Sequence, residues 1–469
     1  MANAPSPVSA SAAIASIWRD LALPDDALSD VRLMGAEPVL PSSFAVGTAA
    51  QASIAASGLA AAAIGRMRGL DRQTVSVDMR HAVTESHSEG WLLVDGKRAG
   101  EGWDKIAGTY QCRDGRWVRI HTNFPHHRAG VLQLLGCEYE RAAVGAALST
   151  WDAIAFEDAA AEAGLCVTAM RSFAEWDAHP QGRAAQAEPL IAIEQIGDAP
   201  PEALAPAGRP LGGVRVLDLT RVIAGPVCGR TLAAHGADVL LITGPHLFNP
   251  LPLTIDSGRG KLSAQLDLRD AAGRDALRGL LKGADIFVQG YRPGALAARG
   301  FGPAQAAELR PGIVCVSLAA YGHTGPWTRR RGFDSLNQTA TGFNAAEAEA
   351  AGEPSRPKPL PVQALDHASG YFLALGAMAG LYRRATIGGS WHVRVSLART
   401  GHWIRGLGRV ENGLACGNPT RDDIGEFLET SDSGFGELTS VRHAAQLSKT
   451  PVRWERRSVP PGTNRPEWP

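Results

Sequence analysis

The sequence is short of several features that commonly announce a function. Its 469 residues carry no net charge, 47 Lys and Arg against 47 Asp and Glu. No broad basic face is therefore available for DNA, RNA or anionic lipid, and a phosphate-bearing ligand must be held by a few local cations. The six cysteines are dispersed, with no C-x-x-C pair and no His/Cys cluster at zinc spacing. This excludes a disulfide framework and a structural metal and suits a reducing compartment. The N-terminus lacks a basic region ahead of an apolar stretch, so it does not read as a signal peptide. The longest apolar segments, residues 52–64 and 371–382, fall short of the roughly 20 residues of a membrane helix. A cytoplasmic protein with no membrane or nucleic-acid partner is expected.

Common catalytic signatures are missing as well. Residues 214–219 read as a strand, but the following loop runs Thr220-Arg221-Val222-Ile223-Ala224-Gly225-Pro226, not G-x-G-x-x-G. Pro226 removes an amide that a pyrophosphate would need, and the next strand ends without the acid that binds a ribose diol. No P-loop, G-x-S-x-G or H-E-x-x-H occurs, which removes the usual NTPase, hydrolase and zinc-protease readings.

What is present is an alternating pattern. Strands at residues 214–219, 237–242, 285–288 and 313–318 alternate with helices at 227–235, 271–282 and 303–309. This predicts an open, mostly parallel α/β sheet of the Rossmann-like kind, with helices on both faces. A stretch rich in Pro, Ala and Gly, residues 197–212, separates it from a smaller, less regular α+β part. That part holds a hairpin at 106–121, turned by Asp114-Gly115, and a helix at 150–163. The expected division is residues 1–205, then 206–410, then an extended tail at 411–469 packed on the surface.

An internal repeat runs across this division. At a constant offset of 318, Gly58 falls on Gly376, Arg66 on Arg384, and Val75 and Val77 on Val393 and Val395. A helix at 49–68 therefore reads as a degenerate copy of a helix at 369–384, and the register persists through a turn and a strand.

Three constellations carry candidate chemistry. Arg259-Gly260-Lys261 precedes a strand-like run. The loops Gln289-Gly290-Tyr291-Arg292-Pro293-Gly294 and Tyr321-Gly322-His323-Thr324-Gly325-Pro326, each following a strand, together make the second. In an open α/β sheet, ligands bind outside the carboxyl ends of the strands. There Arg292 and Lys261 are able to hold phosphates and Tyr291 to stack on a base, or these side chains are simply solvated turn residues. The third is Asp366-His367-Ala368-Ser369-Gly370, leading into the long helix. Asp366 reads as an N-cap. The same position suits a carboxylate nucleophile whose pKa is lowered by the helix dipole, with Gly370 keeping bulk away.

In order, GGVRVLDLTRVIAGPVCGRTLAAHGADVLLI, SGRGKLSAQLDL, ADIFVQGYRPGAL, VSLAAYGHTGPW, RRGFDSLNQTATG and ALDHASGYFLALGAMAGLYRR resemble the successive motifs of the family III CoA-transferases, also called the CaiB/BaiF family. The small N-terminal part is similar to segments that follow the nucleotide-binding half in that family, so the chain resembles a fused or circularly rearranged member. The resemblance implies that Asp366 is the nucleophile and that Thr48 is its inert counterpart in the repeat. It implies that Val222, Ala224, Arg259, Lys261, Tyr291, Arg292 and Arg331 bind CoA, and that Ile223, Phe333, Asp334, Ser369 and Gly370 lie near the reaction centre. Ile223 stands where some transferases carry a glutamine, and Phe333 where related α-methylacyl-CoA racemases carry the acid/base histidine. The implied activity is transfer of CoA between an acyl-CoA and a carboxylic acid in a homodimer, with coenzyme A as substrate and no permanently bound cofactor or metal. The alternatives are a racemase or CoA-dependent lyase on the same fold, or a non-catalytic CoA-binding paralogue.

Overall fold

A computed structural model describes residues 7–469; the first six residues of the N-terminal segment considered above lie outside the described residues. Seven strands form the central sheet: β1 (Ala192–Gly197), β2 (Arg215–Leu219), β3 (Asp238–Thr243), β4 (Lys261–Gln265), β5 (Ile286–Gln289), β6 (Val314–Ala319) and β7 (Ser390–Ser396). Their order across the sheet is β4-β3-β2-β5-β6-β7-β1. All neighbours are parallel except β1, which lies antiparallel on β7. The chain winds outward from β2 in one direction and returns to start again at β5, so the strand order reverses between β2 and β5. A crevice opens at such a reversal because the two loops leave in opposite directions. Residues 216–219, 239–243 and 314–317 of the parallel strands are buried, as expected of a sheet covered on both faces.

The expected division at residue 205 does not separate two domains. β1, contributed by the N-terminal part, is the edge strand of the central sheet, and one hydrophobic core joins Ile54 and Leu59 to Val216, Val316 and Phe372. The α/β expectation holds, with a second α+β unit built on strands Gly108–Gln111, Trp117–Ile120 and Val167–Ala169 around a core of its own that includes Val118, Ile120, Val144 and Phe156. Residues 411–469 are not merely a surface tail. They form the hairpin of Leu428–Ser433 and Gly436–Val441, which pairs with Leu93–Val94, and Gln446–Leu447, which pairs with Val75–Asp78. Leu438, Val441, Ala444, Ala445 and Leu447 are buried; apolar residues of this kind seek cover even in a Pro/Gly-rich segment.

Three helices position the site: α1 (Val46–Met67), α2 (Ala224–Ala234) and α3 (Ala364–Ile387). The long helices start earlier than the apolar pattern suggested, and they pack against each other in the core. α1, 22 residues long, is apolar enough by length and composition to cross a membrane, with an 18-residue stretch of mean hydropathy 1.2, but 94% of that stretch is buried inside the protein. The repeat is visible in the backbone. Ala45 and Gln363, 318 positions apart, precede α1 and α3 with φ/ψ of −76/61° and −78/63°. A Cβ on Gly58 would lie 3.0 Å from Val75 Cγ1, and one on Gly376 would lie 2.4 Å from Val393 Cγ1. Each glycine thus lets its helix lie close on the strand that follows it. The next helices are capped at matching positions, by Asp78 accepting from His81 N–H and by Ser396 accepting from Arg399 N–H.

Candidate active site

At the sheet reversal, the loops after β2 and β5 open a cavity of about 440 Å³ lined by Arg221, Val222, Ile223, Ala224, Tyr291, Arg292, Arg331, Phe333 and Asp366. Val222 takes φ +77°, a conformation seldom adopted by a β-branched residue. It swings the chain out of β2 and into α2, whose N-cap is Ile223. The α+β unit closes the cavity from the other side with Phe124, His126 and His127. Phe333 stacks on His121, ring centroids 3.9 Å apart at 14°, and on Phe124, 5.7 Å apart at 16°. Burial and the nearby Arg119 push the His121 imidazole down to about 3. Burial, His126 and Arg331 do the same for His127, so both rings are neutral at physiological pH.

Cations gather at one end of this cavity. The Arg292 guanidinium forms no hydrogen bond or ion pair to other described residues, and its proton affinity is lowered by burial and by the charges of Arg331 and Arg329. Arg331 donates to the carbonyl of Gly164, and the Arg221 guanidinium lies 5.1 Å over the Phe124 ring. Clustered guanidinium groups that lack carboxylate partners make a place for phosphate.

Two expected phosphate ligands are elsewhere. Lys261 is 1% exposed, and its ammonium donates to Asp218 Oδ2 at 2.8 Å and to the Pro226 carbonyl at 2.9 Å, fastening α2 to the sheet. Arg259, 3% exposed, donates to Asp256 Oδ1 at 2.6 Å, Ser440 Oγ at 3.0 Å and the Val441 carbonyl at 2.7 Å. A buried cation must be paired, and the partners of both are internal. Ser369 is also turned inward, donating to Thr400 Oγ1 at 2.8 Å. Gly370 acts by its lack of a side chain: a Cβ there would stand 2.7 Å from the Ala224 carbonyl and from Val227 Cβ, so it lets α3 approach α2.

Asp366 is not the N-cap of α3. Gln363 holds that place without a side-chain cap, and Asp366 is the third residue of the helix, 6% exposed and facing the cavity. Its own N–H donates to Asp334 Oδ2 at 2.9 Å, and Asp334 also accepts from Gln338 Nε2. The helix dipole does not govern its ionisation. Burial first, then the carboxylates of Asp334 and Glu89, raise its pKa well above the ordinary range; like charges in a buried site oppose one another. Asp334 is raised for the same leading reason, burial. A carboxylate of raised basicity, without a hydrogen-bond partner and open to a cavity, is equipped to attack an electrophilic carbonyl.

The family model described as CoA-transferase family III matches residues 211–426. Succinyl-CoA–D-citramalate CoA-transferase of Chloroflexus aurantiacus is 31% identical over 52% of this chain and 67% of its own length. The chain belongs to the family III CoA-transferases. An acyl-CoA transferase of Gibberella moniliformis is 30% identical over 69% of this chain and 64% of its own, and human succinyl-CoA:glutarate CoA-transferase is 32% identical over 38% and 43%. The chain thus spans only part of the length of these relatives. Within this family III chain, sequence reasoning did not reach Arg221, Phe124, His127 or Glu89. Arg221 had a usable signal, since it follows a strand at the carboxyl edge of the sheet. The other three come from the N-terminal part, where only folding brings Phe124 and His127 to the cavity and Glu89 to His367.

Proposed function

We propose that the chain transfers CoA between an acyl-CoA and a carboxylic acid, with Asp366 as the nucleophile. The observation that carries this reading is the Asp366 carboxylate, unpartnered and open to the same cavity that Arg292, Arg331 and Arg221 line. A carboxylate oxygen of Asp366 attacks the thioester carbonyl, the C–S bond breaks, and an acyl-aspartyl anhydride and CoA thiolate form. The thiolate attacks the aspartyl carbonyl and releases the donor acid, leaving an aspartyl-CoA thioester. The acceptor carboxylate attacks that carbonyl to give a new anhydride, and the expelled thiolate attacks the acceptor's acyl carbon, restoring Asp366 and forming the new acyl-CoA. Activation is kept at each step, so neither ATP nor a metal is needed. The relatives named for succinyl-CoA, glutarate and citramalate support short acyl groups and carboxylic acids as the substrate class. The expected assembly is a homodimer.

A test is to incubate the protein with acyl-CoA, quench with borohydride or hydroxylamine, and measure intact mass and peptide fragments. Modification at Asp366 is the expected outcome. The absence of any modified carboxylate under turnover overturns the reading.

A second reading, α-proton exchange on an acyl-CoA, draws support from His127, a neutral imidazole lining the same cavity as Asp366. Phe333 itself cannot take a proton, which weighs against it. Uptake of deuterium at the α-carbon without exchange of CoA between acids distinguishes it.

A further inference from the structure

Glu89 lies in the short helix Ser88–Trp91, outside every motif that pointed to the site. Its Oε2 is 3.1 Å from Nε2 of His367, the residue that follows Asp366, across 278 positions of sequence. Both side chains are buried, 13% and 1% exposed. The other carboxylate oxygen lies 3.6 Å from Nδ1 of His87. Burial alone would raise the Glu89 pKa, but the His367 and His87 imidazoles overcome it and hold the group far below the usual carboxylate range. An ionised carboxylate is thereby fixed beside the first turn of α3.

We infer that the hydrogen-bonded Glu89–His367 pair is a positioning pair for Asp366: it anchors the turn that carries the nucleophile and places a second carboxylate near that group. This rests on the reading of Asp366 as nucleophile. The other charged groups around that turn are accounted for. Asp334 accepts the Asp366 N–H and adds negative charge from the neighbouring helix. Arg119, on the α+β unit, is brought down to about 10 by burial, which Asp334 opposes. His121 is neutral, and Arg331 and Arg292 stand at the nucleotide end. Of these, Asp334 and Glu89 are the two that oppose ionisation of Asp366 after burial, and of the two it is Glu89 that lies within hydrogen-bond distance of His367.

The two partners therefore act in opposite senses. Glu89→Gln removes a negative charge, whereas His367→Gln keeps a donor for Glu89 but takes away one of the two imidazoles that face it. In the pH profile of kcat/KM for CoA transfer, the acidic limb should move down by roughly 0.5–1 unit in Glu89→Gln and up by a similar amount in His367→Gln, the scale of a neighbouring charge at an effective protein dielectric. Glu89→Asp should return the limb toward wild type. Limbs that stay fixed, or move in the same direction, overturn the inference.

A measurement without turnover separates this from the functional reading. A carboxyl whose pKa is raised on folding contributes stability that is present below its unfolded pKa and is lost as pH rises through its folded pKa. Asp366→Asn should thus raise Tm at pH 8 more than at pH 4, and in the Glu89→Gln background that gain should shrink. An equal gain in both backgrounds defeats the pairing proposal whether or not the protein transfers CoA. A shrunken gain in a protein that never transfers CoA upholds it and defeats the nucleophile reading alone.

Discussion

At the start of α1 the N–H of Thr48 donates to Glu37 Oε1 at 2.7 Å; at the start of α3 the N–H of Asp366 donates to Asp334 Oδ2 at 2.9 Å. Both donors belong to the third residue of a helix, and both helices leave the same non-helical turn. The first amides of a helix have no partner within it, so an acid lodged beneath the turn meets a need of the backbone whatever side chain follows. The comparison teaches that Asp334 has a structural duty that precedes any catalytic one. What distinguishes the two turns is the third side chain and the cavity: Asp366 lines it and Thr48 does not.

The sharpest break in that comparison is to exchange the chemistry. Asp366→Asn keeps the helix and its hydrogen bond to Asp334 but removes the anionic nucleophile, so transfer should fall to background while CoA still binds. Thr48→Asp, the reverse exchange, should add no activity, and borohydride trapping should still count one modified carboxylate per chain. Two per chain would show that α1 also faces a working site.

The next effect separates buried from cavity-facing cations. Lys261→Met should lower unfolding free energy by about 3–5 kcal/mol in urea titrations, because it leaves Asp218 charged and unpaired, and Arg259→Leu should cost less, because Asp256 keeps Arg230 as a partner. CoA affinity measured by calorimetry on folded protein should be unchanged. Arg292→Ala should do the opposite, weakening CoA by about 1.5–3 kcal/mol with little change in stability. If Arg259 variants lose CoA and Arg292 variants do not, the placement of the nucleotide end is wrong. The smallest effect concerns the two glycines. Gly376→Ala forces a methyl against Val393 and should cost about 1–3 kcal/mol of stability. Gly58→Ala should cost less, since its nearest neighbours stand at 2.9 and 3.0 Å.

How far the sequence was legible follows from these same residues. The alternation of strands and helices from residue 215 onward was readable because buried parallel strands leave continuous apolar runs, and Ala271–Lys282 and Pro303–Leu309 form helices with the bounds that their patterns predict. Asp366 was readable by its place in a series of motifs. Its surroundings were not: a raised pKa depends on Asp334 and Glu89 being brought beside it, which helical position alone does not reveal. Arg259 and Lys261 were misplaced because a cation in a Gly-rich turn looks solvated until Asp256 and Asp218 are seen beneath it. The domain division failed at β1, whose half-exposed residues Ala192 to Gly197 carry no sign that they pair with a strand nearly two hundred positions later.

The packing of α1 on α3 sets a timetable for synthesis. α1 is complete when residue 67 is made, but its cover is not made until residue 387. At about 5–20 residues per second, roughly 300 intervening residues take about 15–60 s. During that interval a 22-residue helix containing an 18-residue stretch of mean hydropathy 1.2 has no native neighbour on the face that α3 will occupy. The nascent chain must shelter it by collapse with residues 10–45 or by a holding chaperone, and ribosome-associated crosslinking should catch such a chaperone on α1 until α3 emerges.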